Sequence, residues 1–501
     1  MPRAAKSAPT FSIRCHPHLY EINTRAWLEQ LSAKAGRAVR LDEVPDGEWD
    51  AIAGRGFDIV WLMGIWRRSP AARQVALSDP ANFPQYDRAL PGWKPADVVA
   101  SPYAVARYAP DTRIGTWAAV DRAREKLHNR KMALFLDFVG NHVALDHPWT
   151  RDHPEYFVQG TQEDLQREPS AYFQSASAQG TSILALARDP YFPPWKDVAQ
   201  LNHFHPGLRA AQIANLRSIA THCDGVRCDM AMLQLNKIFS WIWASRVKVP
   251  APAEEFWAEA HAAVPALVLL AEAYWGTEDR LLDLGFSFAY DKELYDAVRD
   301  TKIDAVRSLL QRDELLQRRA ARFLENHDEA RRAIVFANDR LPAAGTLMGT
   351  LPAMRFYHQG EIEGRRNHLP ITLRMAADEP LDSLSLAFFE KILSVTKREV
   401  FHSGEWRLLA ANPEGDSSAG NLLAYEWRGS QAWKLIVVNL SGTASQGRVK
   451  LSGCVDPSKN YLFFDELNGV RYPRSGAELE NVGLFVRREA FGAHLFDVTT
   501  A

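Results

Sequence analysis

Ala266-Leu267-Val268-Leu269-Leu270-Ala271-Glu272 is an unbroken apolar run that stops on a carboxylate. A run of that kind, without polar alternation, predicts a strand buried on both faces, and such strands occur where helices cover a parallel sheet. The carboxyl at its end lies at the margin of an apolar environment, which favours its neutral form and raises its pKa toward the range useful to a general acid. A helix N-terminal acid held by the dipole is the alternative reading of Glu272.

The same unit recurs on both sides of this stretch: a short apolar strand, often ending in a polar residue, followed by an amphipathic segment. Candidate strands run over Leu19 to Thr24, Phe57 to Gly64, Met132 to Asp137, Gly225 to Asp229, Ala266 to Glu272, Phe286 to Tyr290, Ala321 to Glu325 and Ala353 to His358. Between them, Thr116 to Lys131 sets Trp117, Val120, Ala123 and Leu127 on one helical face, and Pro206 to Thr221 does so with Ile213, Leu216 and Ala220. Right-handed βα crossovers repeated in this number close into a (β/α)8 TIM barrel, whose reactive groups gather at the C-terminal strand ends.

Two segments break the rhythm. Residues 143–205, after the third strand, are rich in Pro, Asp, Gln and aromatics, and connections of that length are functional insertions or small domains. After a last helix near Leu384 to Val395 the pattern becomes short runs such as Leu422 to Trp427 and Trp433 to Val438, separated by Gly, Ser, Asn and Pro, which predicts a C-terminal antiparallel β-sandwich beginning near Phe401. The expected organisation is a barrel formed by residues 1–142 and 206–400, an inserted domain over 143–205 and a sandwich over 401–501.

The strand ends carry the candidate chemistry. The third strand ends in Asp137-Phe138-Val139-Gly140-Asn141-His142, though a capping Asp and a satisfied core His fit that stretch equally well. The fourth ends in Gly225-Val226-Arg227-Cys228-Asp229, where the strand period puts Arg227 and Asp229 on one face. A guanidinium there lowers the carboxyl pKa and keeps it ionised, as a nucleophile requires, while a structural Arg-Asp pair is the alternative. The seventh supplies Glu325-Asn326-His327-Asp328, which also reads as a turn or cap. Four such motifs at successive barrel mouths, in compatible roles, point to one site gripping a sugar in an oxocarbenium-like transition state.

Composition narrows the ligand. Acidic and basic residues number 61 and 59, so nothing favours binding nucleic acid or anionic lipid, and an uncharged ligand fits better. No stretch reaches the roughly 18 uninterrupted apolar residues of a membrane-spanning helix. Met1 to Phe11 has no apolar secretory core and reads as a short disordered tail. Cys15, Cys223, Cys228 and Cys454 lack metal-ligand spacing, which argues against structural zinc and for a reducing compartment, here the cytoplasm.

At these residues the sequence resembles the α-amylase family, glycoside hydrolase family thirteen, from about Tyr20 to the C-terminal β-domain. Asp137 to His142 is similar to that family's D-x-x-x-N-H segment, Gly225 to Asp229 to its G-x-R-x-D segment, Glu272 to its strand-five acid and Asn326 to Asp328 to its N-H-D segment. The resemblance implies Asp229 as nucleophile, Glu272 as general acid/base and Asp328 as the third catalytic carboxylate. It further implies Tyr103, His142, Arg227 and His327 as substrate-binding residues, the long insertion as domain B, and Gln200-Leu201-Asn202 as the family's fifth short motif. The partner it implies is an oligosaccharide or α-glucan, with no cofactor required.

Departures from the pattern matter as much. Asn141 matches a calcium ligand of amylases, but Gln200 stands where a ligating Asp is common, and a neutral amide weakens a hard-cation site, so calcium is admitted rather than expected. Met232 and Leu233 replace a Lys-His pair of many amylases, from which a less polar leaving-group side is expected. Arg331 after the N-H-D segment is similar to α-glucosidases and glucosyltransferases of the family. The activity expected is α-retaining hydrolysis of α-glucosidic bonds. Glucosyl or maltosyl transfer, or a trehalose-synthase-like isomerisation, is the alternative, and a catalytically silent binding subunit the third reading.

Overall fold

In a computed structural model, residues 12–177 and 180–500 are described; Met1 to Phe11, where the sequence predicts a disordered tail, lies outside them. Eight parallel strands close a barrel: β1 (His18–Asn23), β2 (Ile59–Met63), β3 (Ala133–Phe138), β4 (Gly225–Cys228), β5 (Val268–Ala271), β6 (Phe288–Tyr290), β7 (Ala320–Phe323) and β8 (Met354–His358). Each neighbours the next, and β8 returns to β1 with His18 opposite Arg355 and Glu21 opposite His358. All eight candidate runs are therefore barrel strands.

Local chemistry sets the crossovers. Asn23 caps the first helix, Thr24–Ala35, by accepting the Ala26 amide, and Gly36 ends it at φ 65°, a left-handed conformation that suits a residue without Cβ. Pro206 opens the helix Pro206–Ala220, where its missing N–H costs nothing, and His205 caps it. Trp117–His128 buries Ala119, Val120, Ala123 and Leu127 against the sheet, with Trp117 only partly covered. The barrel interior and the helix–sheet layer form one continuous apolar core running from Leu19 to Leu495.

After β3 the chain enters the insertion, where His142–Ala144 pairs antiparallel with Val198–Gln200 and the hairpin Tyr172–Ser177 with Gly180–Ala185 stands above it. Separate apolar clusters around Val158 and Val143 support this segment. Beyond the helix Ser383–Thr396 lies an antiparallel six-stranded sheet, β9 (Glu405–Leu409), β10 (Leu422–Arg428) and β11 (Trp433–Asn439) forming one edge, facing a three-stranded sheet. Residues of both sheets, among them Leu435, Val437, Val449 and Val486, share a core, which makes a sandwich.

Candidate active site

The barrel register brings the strand-end acids together. Arg227 of β4 lies opposite Leu270 of β5 and Asp137 of β3, and the ladder continues past the strands: Glu272 N donates to Cys228 O at 3.1 Å and Asp229 N to Phe138 O at 2.9 Å. Asp229 and Glu272 thus leave adjacent strands at the same level. Arg227 rises between them, its Nη1 on Asp229 Oδ1 at 2.7 Å and its Nη2 on Glu272 Oε2 at 2.6 Å. A planar guanidinium with both terminal nitrogens occupied fixes the spacing and the facing of two carboxylates at once. Its own cavity is walled by the rings of Trp61, Tyr103 and Tyr290, whose centroids lie 5.4, 5.1 and 5.9 Å from the cation.

A cleft of about 1140 Å³ opens above this pair; Tyr103, His142, Asp229, Glu272, His327 and Asp328 all line it, while Arg227 forms the floor beneath. Asp137 does not face it. That carboxylate is buried, accepting Gly64 N at 2.6 Å and Trp61 Nε1 at 3.1 Å, and so ties β2 to β3. Gly64 aims its amide there from φ 76°, in a turn pressed against Pro102.

The carboxyls differ in proton affinity. Burial raises Glu272 to about 7, with Arg227 pulling against the rise and the negative charges of Asp229 and Asp328 adding to it. Its oxygens are held by Met230 N at 2.6 Å and the Tyr274 hydroxyl at 2.8 Å. Asp229 is also raised by burial, against the pull of Arg227, so the guanidinium moderates the carboxyl rather than depressing it below the ordinary range as the sequence suggests. Its Oδ2 makes no hydrogen bond and lies 3.8 Å from His142 Nε2.

Asp328 behaves in the opposite way. The surrounding protein raises it, but His327, with Nε2 at 3.0 Å from Oδ2, outweighs this and holds the carboxyl at about 2, although the side chain is 47 % exposed into the cleft. His327 is raised well above its ordinary value because burial, which disfavours the charged ring, is overcome by Asp328 and by Glu21, whose Oε1 lies 2.5 Å from Nδ1. The Tyr103 hydroxyl completes this wall at 2.8 Å from His327 Nε2. His142, by contrast, is lowered by burial to about 3 and is neutral; Trp195 packs on its edge.

Several neighbours of the cleft do not stand out in the sequence motifs. Glu21 is a carboxylate buried in the middle of the strand His18–Asn23, flanked by Tyr20 and Ile22, which is its one sequence signal. Tyr274 and the Met230 amide depend on loop geometry, Met230 sitting at φ 43°. At the mouth Trp275 (40 % exposed) and Phe192 (67 %) are bare to solvent, with Tyr191 against Trp275 at 5.1 Å. Met232 and Leu233, from which a less polar leaving-group side is expected, do not line the cleft: both are buried in a short 3-10 turn, and it is Met230 that reaches the lining. Arg331 turns away from the cleft onto Glu325 and the Gln359 carbonyl.

The Asn141 surroundings do not fit a calcium ion. Its Oδ1 accepts Gln200 Nε2 at 3.1 Å and faces His203 Nε2 at 3.1 Å, and its backbone oxygen also receives Gln200 Nε2. No carboxylate is among these partners, whereas calcium calls for six to eight oxygen ligands. Neutral donors already hold the oxygen that would bind the ion.

No known family profile matches the chain. It is 27 % identical over 290 residues to the α-amylase MalA of Haloarcula japonica, a match covering 54 % of this chain and 37 % of that protein. The chain therefore spans well under two thirds of that relative's length. The fold is similar to a noncanonic maltogenic α-amylase, AmyB of Thermotoga neapolitana, with TM-score 0.68 and 19 % identity over 96 % of this chain and 98 % of the other. It is likewise similar to an α-amylase of Geobacillus thermoleovorans complexed with acarbose, with TM-score 0.65 and 16 % identity over 97 % and 98 %. The chain thus shares the overall (β/α)8-barrel fold of these solved α-amylases, and over about half its length its sequence is similar to that of an α-amylase.

Proposed function

We propose that the protein is an α-retaining glycoside hydrolase that cleaves α-glucosidic bonds of maltooligosaccharides or α-glucan through a covalent glycosyl-enzyme. The observation that carries this reading is one guanidinium bridging Asp229 and Glu272 at the floor of a sugar-sized cleft. Asp229 Oδ2, free of hydrogen bonds, attacks the anomeric carbon, while Glu272, protonated near neutrality, gives its proton to the departing glycosidic oxygen. Glu272, now ionised, then takes a proton from water as the water oxygen attacks the same carbon and releases Asp229. Asp328, ionised down to about 2, holds ring hydroxyls beside His327 and Tyr103 as positive charge develops on the ring. Arg227 fixes both carboxylates, and neutral His142 contacts the same glycosyl unit.

In this reading residues 1–142 and 206–400 form the catalytic barrel, 143–205 the domain B wall and 401–501 the accessory sandwich. No cofactor takes part in any step, and no step passes through a metal at Asn141. The exposed Trp275 and Phe192 support an oligosaccharide rather than a charged partner. The free thiols of Cys15, Cys223, Cys228 and Cys454 support the cytoplasm as its compartment. Among the described residues no helix is long and apolar enough to cross a membrane.

Asp229→Asn is expected to cut turnover of α-glucosyl fluoride by about 10⁴-fold or more while far-UV circular dichroism stays unchanged. Unaltered turnover would overturn the mechanism. Chromatography of maltotriose digests separates the acceptors: glucose and maltose support water, and longer oligomers or trehalose-like products replace hydrolysis with transfer.

A further inference from the structure

The N-terminal end of the barrel, across the molecule from the cleft, holds a second cluster of ionisable side chains. His18 opens β1, Asp58 directly precedes β2, and His402 lies in the short helix Val400–Ser403 that leads into the C-terminal sheets. They are 0 %, 6 % and 2 % exposed. One ligating atom from each lies within 4.8 Å of the other two, and His18 Nδ1 is 3.8 Å from Asp58 Oδ2.

The outer partners of the two rings decide where their protons sit. Thr396 Oγ1 donates its single proton to Ile392 O at 2.9 Å, so toward His18 Nε2, 3.1 Å away, it can only accept. The His18 proton is therefore on Nε2, and Nδ1 carries a bare lone pair. His402 Nδ1 faces the Cys15 carbonyl at 3.1 Å, and a carbonyl only accepts, so the proton is on Nδ1 and Nε2 is bare. Neither bare nitrogen has a hydrogen-bond partner, and 3.8 Å to Asp58 is too long to count as one. Two lone pairs and a carboxylate oxygen thus converge on one buried point with no donor among them, an arrangement that repels itself unless a cation or a donor joins it.

We infer that this cluster binds one divalent transition-metal ion, zinc being the fitting representative, through His18 Nδ1, His402 Nε2 and Asp58. Two imidazoles with one carboxylate suit such ions and not calcium or magnesium, which prefer oxygen alone. The outer hydrogen bonds, from one ring to a hydroxyl and from the other to a carbonyl, are of the kind that fix the tautomer and orientation of metal-binding histidines. Asp58 is already aimed by the His18 amide at 2.9 Å; its other partner, Arg14 at 2.7 Å, has a side chain 39 % exposed and can turn to solvent once an ion supplies the counter-charge. The ion ties the first strand, the entry to the second and the barrel–sandwich connection at one point, a fastening at the end of the barrel associated with stability rather than chemistry.

Isothermal titration of Zn²⁺ into the untagged, chelator-treated full-length protein is expected to give one site per chain, and Co²⁺ in its place a visible absorption band. A hundredfold excess of Zn²⁺ over Kd raises the unfolding midpoint by roughly 2–3 °C. His402→Asn is expected to abolish the Co²⁺ band. Anomalous diffraction from a zinc-soaked crystal is expected to place the ion about 2.0–2.1 Å from both imidazoles, which decides the matter in the unaltered chain even if that variant folds poorly. Absence of stoichiometric binding, ions at surface carboxylates only, a water without anomalous signal between the rings, or an undiminished band in His402→Asn each overturns the inference.

Discussion

Arg227 and Arg355 are both fully buried and both flanked by aromatic rings, yet they do different work at the two ends of the barrel, Arg227 inside it and Arg355 on its outer face against Phe401 and Trp427. At the cleft end the guanidinium of Arg227 meets two carboxylates that face solvent and substrate, and their charges raise its proton affinity well above the ordinary value. At the opposite end Arg355 donates to the backbone carbonyls of Leu351, His16 and Phe401, and burial lowers it to about 10. The partner, not the buried cation, decides the role. Anionic partners turn it into an organiser of proton chemistry, and carbonyl partners turn it into a chain fastener.

The comparison is broken most easily at Glu272. Glu272→Gln is expected to lower maltotriose turnover by about 10²- to 10⁴-fold, with a smaller loss on α-glucosyl fluoride, whose leaving group needs little protonation. Stability should move the other way. With a folded pKa of about 7 against an ordinary 4.5, the native state holds the proton that the unfolded chain has released, so stability falls as pH rises through that window and the whole penalty applies above it. The neutral amide escapes it, gaining about 1–3 kcal/mol at pH 8 in denaturant melts. A less stable variant at that pH would mean that Glu272 is a fastener after all.

The two arginines give the direct test. Arg227→Met is expected to reduce kcat/KM by about 10²- to 10³-fold with a small change in melting temperature. Arg355→Met should leave kcat of the folded fraction intact and cost about 3–5 kcal/mol in urea unfolding, because buried carbonyls lose their donors. Similar signatures for both would erase the distinction. Glu21→Gln sharpens it further: with one anion removed, His327 should titrate at lower pH by NMR and kcat/KM should fall about 10-fold, the cost of a weakened charge pair. The smallest effect belongs to Trp275→Ala, where loss of an exposed ring raises KM about 2- to 10-fold and spares kcat.

The barrel was legible because its strands are buried on both faces and so appear as apolar runs; even the three-residue β6 lies within the run Phe286 to Tyr290. Asp229 and Glu272 could be found because each directly follows a barrel strand, and Asp328 because it closes the polar stretch Glu325 to Asp328 after the seventh. Glu21 escaped because it sits inside a strand, where period alone marks it as inward, and its partner His327 comes 306 residues later. The Met230 amide and the Tyr274 hydroxyl escaped because backbone direction and loop reach leave no mark in residue type. Met232 and Leu233 misled because the tight turn from Met230 folds them under the barrel mouth. The lowering expected for Asp229 did not allow for how deeply the strand end is enclosed.

The seam where β1 meets β8 bears on the order in which the molecule comes into being. Glu21, which holds His327 from below, is itself a seam residue, paired with His358. A ribosome must have delivered the last barrel strand before the first can find its second neighbour. Until that closure Glu21 lacks one of its two strand neighbours, so the wall that holds His327 takes its final shape only after His358 has been made.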